Sequence, residues 1–422
     1  MFKNYIMIAI RNLRRQKGYS FINILGLAIG MACCLLILLY VQDEFGYDKF
    51  HEKSDRIYRL VMEGQVSANE RTLNSARSPS PWAPVLAADY PGVVNYVRFK
   101  TPLSRWLITY EDERIYEKGF YFADATVFDV FDFELVRGNP AEVLVAPNTV
   151  VISEETARKY FGNEDPVGKI ITADLVFEFK ITGVMKKVPR SSHMTFDFLA
   201  SFATLTGAAN SEGNFIYGGD LSNFQFFGLN PQVYTYLLLD DGFSAEEFEL
   251  LLPQFIDKYL GEQIRQSGIQ LDPYLQPLTA VHLHSNLDAE VAPNSDISYV
   301  YIFSAISFFI LIIACINFMN LATARSANRA LEVGLRKVVG SDRFQLVKQF
   351  LGESVFLAFL ALLLAIIFVY FLLPPFNVLS GKELVFAFDN TWIFPALIGI
   401  VLFVGIVAGS YPAFFLSSFK PV

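Results

Sequence analysis

Lysine, arginine, aspartate and glutamate are absent from four stretches of at least 20 residues, 21–41, 299–319, 354–373 and 392–415. Charge is scarce throughout, at 18% of the 422 residues, where an ordinary soluble domain carries about 25%. With 53% hydrophobic residues and a mean hydropathy of +0.36, a disordered, collagen-like or nucleic-acid-binding chain is excluded. At about 1.5 Å of rise per residue, each uncharged stretch crosses a hydrocarbon core of about 30 Å as a helix. None shows the strict alternation of a transmembrane barrel strand, so helices must satisfy the backbone in lipid. Cysteine is also rare. Cys33, Cys34 and Cys315 all fall inside the uncharged stretches, so no disulfide framework holds the rest of the chain together.

The net charge of −8 is unevenly placed. Residues 1–20 carry +5, residues 42–298 carry −16, residues 320–353 carry +3, residues 374–391 carry −1 and the tail 416–422 carries +1. Short loops rich in lysine and arginine stay on the cytosolic side. The N-terminus, the 320–353 loop and the C-terminal tail are therefore expected in the cytosol, with the acidic segment exported. A cleaved signal peptide also opens with a basic stretch followed by an apolar one. Here the apolar run continues past Cys33 and Cys34 to Val41 and lacks the leucine of a lipoprotein cleavage box, so it reads as a retained anchor. Ahead of it, Phe2, Tyr5, Ile6, Ala9, Ile10 and Leu13 share one helical face, the pattern of an amphipathic helix lying in the cytosolic interface.

Between residues 42 and 298, short β-branched or aromatic runs alternate with helical stretches, which indicates an α/β or α+β domain. Strands are expected near 56–62, 93–100, 149–152, 176–184, 232–239 and 274–283. Ser153 is placed to cap a helix over 154–160, whose first turn holds two acids. Ser244-Ala-Glu-Glu247 forms a capping box before another helix, in which Pro253 marks a kink or the true start. Residues 204–229 are rich in Gly, Asn and Ser and read as a loop or insertion.

Signs of catalytic chemistry are few. The stretch from Gly162 to Lys169 has the look of a phosphate loop, but five residues rather than four separate its glycines, and Ile170 stands where Ser or Thr would hold magnesium. It reads as a surface turn. His282 and His284 fall on one side of the expected strand 274–283; without a third ligand the pair reads as structural, and His51 and His193 are the only other histidines. No Gly-x-Ser-x-Gly elbow occurs. No Gly-x-x-x-x-Gly-Lys-[Ser/Thr] occurs either, so the sequence contains no Walker A loop and active transport would require a separate ATPase. The uncharged spans also lack the buried charge that an ion or proton pathway usually requires.

The 320–353 loop is more distinctive. Leu331, Leu335, Val338 and Val339 form an apolar stripe, Glu332 and Arg336 sit four apart as a helix-stabilising pair, Gly340 fits a helix stop, and Ser341 or Asp342 fits the next cap. Such a helix is either an interfacial connector or a docking element. Gly26-x-x-x-Gly30 and Gly405-x-x-x-Gly409 would permit close helix contacts, of which a dimer face is one use. Asn317 and Asn320 suit polar contacts across an interface, or a cap on the span.

The run from Glu332 to Gly340 (EVGLRKVVG), followed by Gln349-Phe-Leu-Gly-Glu-Ser354, resembles the signature of MacB/FtsX-like ABC-transporter permeases. Asn12-Leu-Arg-Arg15, the run from Asp48 to Tyr58, Phe161-Gly162 through Val167-Gly-Lys169, and Gly409-Ser-Tyr-Pro412 also look like this family. They are most similar to the version common in Bacteroidetes-type Gram-negative bacteria. The resemblance implies an α-helical membrane protein with four transmembrane helices and a large α/β (α+β) periplasmic domain inserted between helices 1 and 2. Its parts would be a cytosolic amphipathic helix (1–20), four spans (21–41, 299–319, 354–373, 392–415), a MacB-like periplasmic core domain (42–298), a cytosolic coupling loop (320–353), a short periplasmic loop (374–391) and a cytosolic tail (416–422).

The resemblance further implies a multi-pass protein of the bacterial inner membrane that docks on a cytosolic ABC ATPase subunit and conveys ATP-driven motion to its periplasmic domain. It carries the docking role onto Glu332, Gly334, Arg336, Lys337 and Gly340, and a catalytic role onto no residue. This chain would bind no cofactor, ATP and Mg residing on the ATPase. Its other implied partners are a second permease copy or second half, membrane lipid, and a periplasmic adaptor or outer-membrane factor, with no nucleic acid. Many family members continue into a related second half, so the chain is expected to act either as a four-span homodimer or as the first half of a longer product. Two other functions suit a membrane-anchored exported domain. A membrane-anchored sensor or receptor would normally carry a cytosolic output module, whereas here two spans follow the 320–353 loop. A membrane-anchored hydrolase would act without an ATPase.

Overall fold

The computed structural model describes residues 17–66, 71–102, 104–206, 221–223, 228–324, 338, 342–386 and 393–417. They fall into two compact units, one made of Met1–Phe45 with Ile297–Val422 and the other of Gly46–Asp296.

Among the described residues of the first unit, four helices are long and apolar enough to cross a membrane: Lys17–Phe45, Ile297–Ala324, Arg343–Ser380 and Ile393–Ser417. Their shared core comprises Leu27, Ala28, Met31 and Leu35 of the first, Leu311 and Cys315 of the second, Ala358, Ala361, Ala365 and Val369 of the third, and Val404 and Ala408 of the fourth. Small residues recur in this list because helices surrounded by lipid gain little from hiding apolar surface and must instead associate by close packing. The third helix runs 38 residues, about 57 Å at helical rise, and so outspans a hydrocarbon core of about 30 Å. Asp342 occupies its N-cap position without a side-chain cap bond, and Gly381 ends it in the left-handed conformation at φ 70°.

The second unit is built on a mixed sheet. Among the described residues its strands are β1 (Ile57–Val66), β2 (Arg71–Ser75), β3 (Ser78–Pro79), β4 (Val93–Lys100), β5 (Trp106–Tyr110), β6 (Glu113–Glu117), β7 (Phe120–Ala123), β8 (Leu135–Arg137), β9 (Thr149–Ser153), β10 (Ile170–Ala173), β11 (Phe177–Met185), β12 (Phe198–Ser201), β13 (Pro231–Leu239), β14 (Ile269–Leu271) and β15 (Tyr274–Pro277). The main order is β14-β1-β13-β4-β7-β12-β9-β11-β10-β5-β6. Only β7–β12 and β9–β11 pair in parallel along it.

Side chains alternate between two apolar layers, as the period of two requires. Tyr121, Ala123, Val151, Leu199, Tyr234 and Tyr236 join Phe99, Val127 and Phe131 in one layer. Their neighbours Phe120, Phe122, Val150, Ile152, Phe198 and Ala200 join Tyr160 and Phe161 of the helix Glu154–Phe161 in another. Leu237 and Leu239 pack with Trp82, Phe248 and Phe255 from the helices Trp82–Asp89, Ala245–Glu249 and Leu252–Ser267. Because both faces are covered, β7, β9 and β12 are buried at every position.

Local signals act as their chemistry dictates. The Ser153 hydroxyl accepts from the Thr156 amide and the Ser244 hydroxyl from the Glu247 amide, each starting a helix. Pro253 stands in the first turn of a second helix, Leu252–Ser267, where its missing N–H costs nothing. The stretch from Gly162 to Lys169 is a turn after a helix, closed by the Gly168 amide on the Ile181 carbonyl at 2.7 Å. The expected strand 274–283 is corrected. It ends at Pro277, and Leu278–Ala280 and Val281–His284 form short helical turns instead. His282 and His284, two apart on a helical turn, therefore point apart: His282 is buried and His284 exposed.

Candidate functional site

The residues assigned to ATPase docking, Glu332, Gly334, Arg336, Lys337 and Gly340, lie outside the described residues, as do residues 1–16 of the expected amphipathic helix, whose residues 17–20 belong to the first membrane helix. The glycines of the two Gly-x-x-x-Gly pairs are described. A Cβ built on Gly30 would sit 2.7 Å from Ala314 Cβ, and one on Gly26 would sit 3.4 Å from Asn317 Nδ2, so both face the second membrane helix. Gly405 and Gly409 face the third, at 2.7 Å from Val355 Cα and 2.6 Å from Ser354 Oγ. All four mark places where helices of this one chain approach closely. Asn317 and Asn320 are exposed on the second helix.

Charge gathers where the first membrane helix ends. Lys382, in the loop after the third helix, pairs with Asp43 and lies 2.6 Å from Glu44, which is only 3% exposed; its ammonium also sits 5.1 Å from the Tyr40 ring centroid. The uncharged spans gave no hint of this cluster, because Asp43 and Glu44 stand just beyond the apolar run.

Two further polar clusters, unforeseen as sites, are buried in the sheet unit. Asp48, at φ 58°, brings its carboxylate within 2.9 Å of His193 Nδ1 and accepts from the Ser192 hydroxyl at 3.0 Å and from the His193 amide. The carboxylate favours the proton on Nδ1, so Nε2 accepts from the Tyr236 hydroxyl at 2.5 Å. Burial alone would raise the Asp48 carboxyl, but His193 and these bonds hold it below the usual carboxylate range. His51, fully enclosed nearby, accepts the Asp132 amide at Nδ1 at 3.0 Å. Burial pushes its pKa down to about 4, against an opposing pull from Asp48 and Asp132, so its 3.8 Å approach to the Asp132 carboxylate is not an ion pair at neutral pH.

In the second cluster the Arg59 guanidinium, its side chain fully buried, grips Glu290 with two nitrogens at 2.6 and 3.0 Å and donates to Gln276 and Ser285 at 2.6 and 2.7 Å. Burial works against both charges, and their mutual contact outweighs it: Glu290 is held below, and Arg59 above, its ordinary range. A charge inside the otherwise apolar stretch Ile57–Met62 of β1 was the one available signal, because a buried arginine demands a partner.

Residues 20–253 match the family described as MacB-like periplasmic core domain, and residues 304–421 match the FtsX-like permease C-terminal family. The Macrolide export ATP-binding/permease protein MacB of Bdellovibrio bacteriovorus is 25% identical over 286 residues, covering 67% of this chain and 39% of that protein. The protein of the same name from Campylobacter jejuni is 30% identical over 117 residues, covering 26% and 17%. The chain thus spans about two fifths or less of the length of these curated relatives. Among solved structures, a permease-protein domain from Porphyromonas gingivalis is similar at 22% identity and TM-score 0.46, covering 60% of this chain and 98% of that one. The periplasmic region of MacB from Actinobacillus actinomycetemcomitans is similar at 14% identity and TM-score 0.37, covering 54% and 91%. With one family's core domain over more than half its length and the other's permease segment following, this chain belongs to the MacB/FtsX-like ABC transporter permease family.

Proposed function

We propose that this chain is the membrane subunit of an ABC transporter, which borrows its energy from a separate cytosolic ATPase and delivers it as motion of the domain formed by Gly46–Asp296. The observation that carries this reading is the join itself: a periplasmic core domain and an FtsX-like permease segment stand on one chain. The loop 320–353 is then the docking element, with Glu332, Gly334, Arg336, Lys337 and Gly340 against the ATPase, and ATP and Mg held by that partner. The third membrane helix supports the reading, because it runs free of proline from Arg343 to Leu373 before Pro374 and Pro375, and a helix without an interior proline passes displacement along its axis with little bending. By the positive-inside rule both termini face the cytosol. A second copy, or a second half, completes the membrane portion. Cargo is handled outside the membrane: peptides or drugs for efflux, in keeping with the macrolide-export name of the Bdellovibrio relative, or lipoproteins and envelope components.

The test is a pair of loop variants, Gly334→Leu and Glu332→Lys. Both are expected to insert normally, to lose copurification with the ATPase and to lose stimulation of its ATP hydrolysis. Unchanged copurification and hydrolysis in both would overturn the docking role.

A further inference from the structure

The chain enters the sheet unit at Gly46 and leaves it at Asp296. Along the chain, a push delivered from the membrane helices arrives through two legs, residues 46–51 and 281–296. A leg joined to the sheet only by flexible loop would absorb such a push. Neither leg is built that way. The entering leg is fastened by Asp48, whose amide donates to the Ser191 carbonyl at 2.7 Å and whose carboxylate holds Ser192 and His193. The leaving leg is fastened by Glu290 on Arg59, by the Asp288 amide on the Asn74 carbonyl at 2.7 Å, by the Ala76 amide on the Asp288 carbonyl at 3.0 Å, and by the Tyr234 hydroxyl on the Ala289 carbonyl at 2.9 Å. The legs also touch each other, Tyr47 stacking on His282 with ring planes 2° apart.

Both fastenings converge on one place. Arg59 of β1 and Tyr236 of β13 stand directly opposite each other in the antiparallel register, and both are completely buried. Arg59 takes the leaving leg through Glu290, and Tyr236 takes the entering leg through His193 and Asp48. β1 and β13 are also interior strands, flanked by β14 and β4. A displacement delivered to this pair therefore enters the sheet at its hydrogen-bonded interior and not at a free edge.

We propose that the cross-strand pair Arg59–Tyr236 is the junction through which both legs grip the sheet, so that movement of the legs moves the domain as a body. Arg59, Tyr236, Asp48, His193 and Glu290 are positioning residues in this role and touch no cargo. The inference rests on the force-transmitting reading given above.

The experiment uses the full chain in lipid vesicles together with its ATPase, with Cys33→Ala, Cys34→Ala and Cys315→Ala as background. A donor dye on Glu111→Cys and acceptor dyes on lipid headgroups report motion of the domain on adding ATP with vanadate. Tyr236→Phe removes the bond to His193, and Glu290→Gln removes the charge pair and one of the two acceptor oxygens facing Arg59, both while nearly preserving shape. In each variant the amides of the loosened leg, Asp48 and His51 or Asp288, should exchange with solvent on the order of tenfold faster, the size of one lost buried hydrogen bond. The amides of β9 and β11 should exchange as in the parent, which shows that the sheet remains folded. The ATP-dependent transfer change should fall at least twofold while ATP hydrolysis persists. Joining the bridged positions in Ser75→Cys/Asp288→Cys by a disulfide should restore the change in Glu290→Gln, a rescue that no loss of cargo chemistry would show. Faster exchange throughout β9 and β11 would mean that the pair only stabilises the fold, and would overturn the junction. Full transfer change in both variants, or legs that exchange no faster, would overturn it too. A parent chain with no transfer change at all would instead overturn the reading on which the inference rests.

Discussion

His51 makes the folded sheet unit sensitive to mild acid. Its ring is enclosed by Phe50, Phe131 and Phe133, and its pKa falls from 6.5 to about 4. Between those values the unfolded chain binds a proton that the folded chain refuses, so stability must fall as the pH drops through this window. Each unit of pKa difference is worth about 1.4 kcal/mol. Integrating the two titrations gives a loss of about 2 kcal/mol at pH 5 relative to pH 8, approaching about 3 kcal/mol well below pH 4. For a unit of this size the loss at pH 5 lowers the unfolding midpoint by about 5 °C. Other groups titrate as well. Asp48 and Glu290, held below their usual range, lose their contributions only at lower pH, and Asp197, raised mainly by burial, opposes the trend. The measurement is therefore a difference between parent and His51→Asn, whose side-chain oxygen can still accept the Asp132 amide. Thermal unfolding of the full chain in detergent, followed by fluorescence of the buried Trp82 and Trp106, should show a pH 8 to pH 5 drop about 5 °C larger in the parent. An equal drop in both proteins would refute the assignment of His51 as the neutral, buried titrating group.

Gly405→Leu places a Cβ 2.7 Å from Val355 Cα, a backbone atom that cannot swing aside; it should cost about 1–3 kcal/mol, seen as a lower unfolding midpoint in detergent. Gly399→Leu, with nothing within 4 Å of its Cβ, should leave the midpoint unchanged. Lys382→Met takes the cation from Glu44, which is 3% exposed, and should cost about 3 kcal/mol. Adding Glu44→Gln should recover part of that loss, and a purely additive double variant would mean that the pair is not coupled.

Much of the architecture could be read in the residues, for reasons that differ by element. The four membrane helices announced themselves because a run without charge has few other fates. β9 was found because it is buried on both faces and its Val150-Val-Ile152 is an apolar run, and β4 and β13 because β-branched and aromatic residues dominate them. The edge pair β5–β6 was missed, since its outer strand is exposed or half-buried along its length. The His282–His284 error has a similar root: Leu278-Thr-Ala-Val-His-Leu-His284 alternates as a strand would, yet Pro277 ends the ladder by lacking an N–H. The two fastenings of the legs could not have been paired in advance. Asp48 and His193 are 145 positions apart, and Arg59 and Glu290 are 231 apart, separations that only the folded sheet closes. The docking residues stand on the pattern of the loop and its resemblance alone.

Energy transfer between Glu111→Cys and the membrane surface, recorded with the ATPase bound, joins the two ends of the proposed machine in one observation. ATP with vanadate should shift the transfer in the parent, and Glu332→Lys should abolish the shift while the chain stays inserted. A transfer value indifferent to nucleotide in the parent, under conditions where the bound ATPase hydrolyses ATP, would contradict the coupling of that hydrolysis to the domain outside.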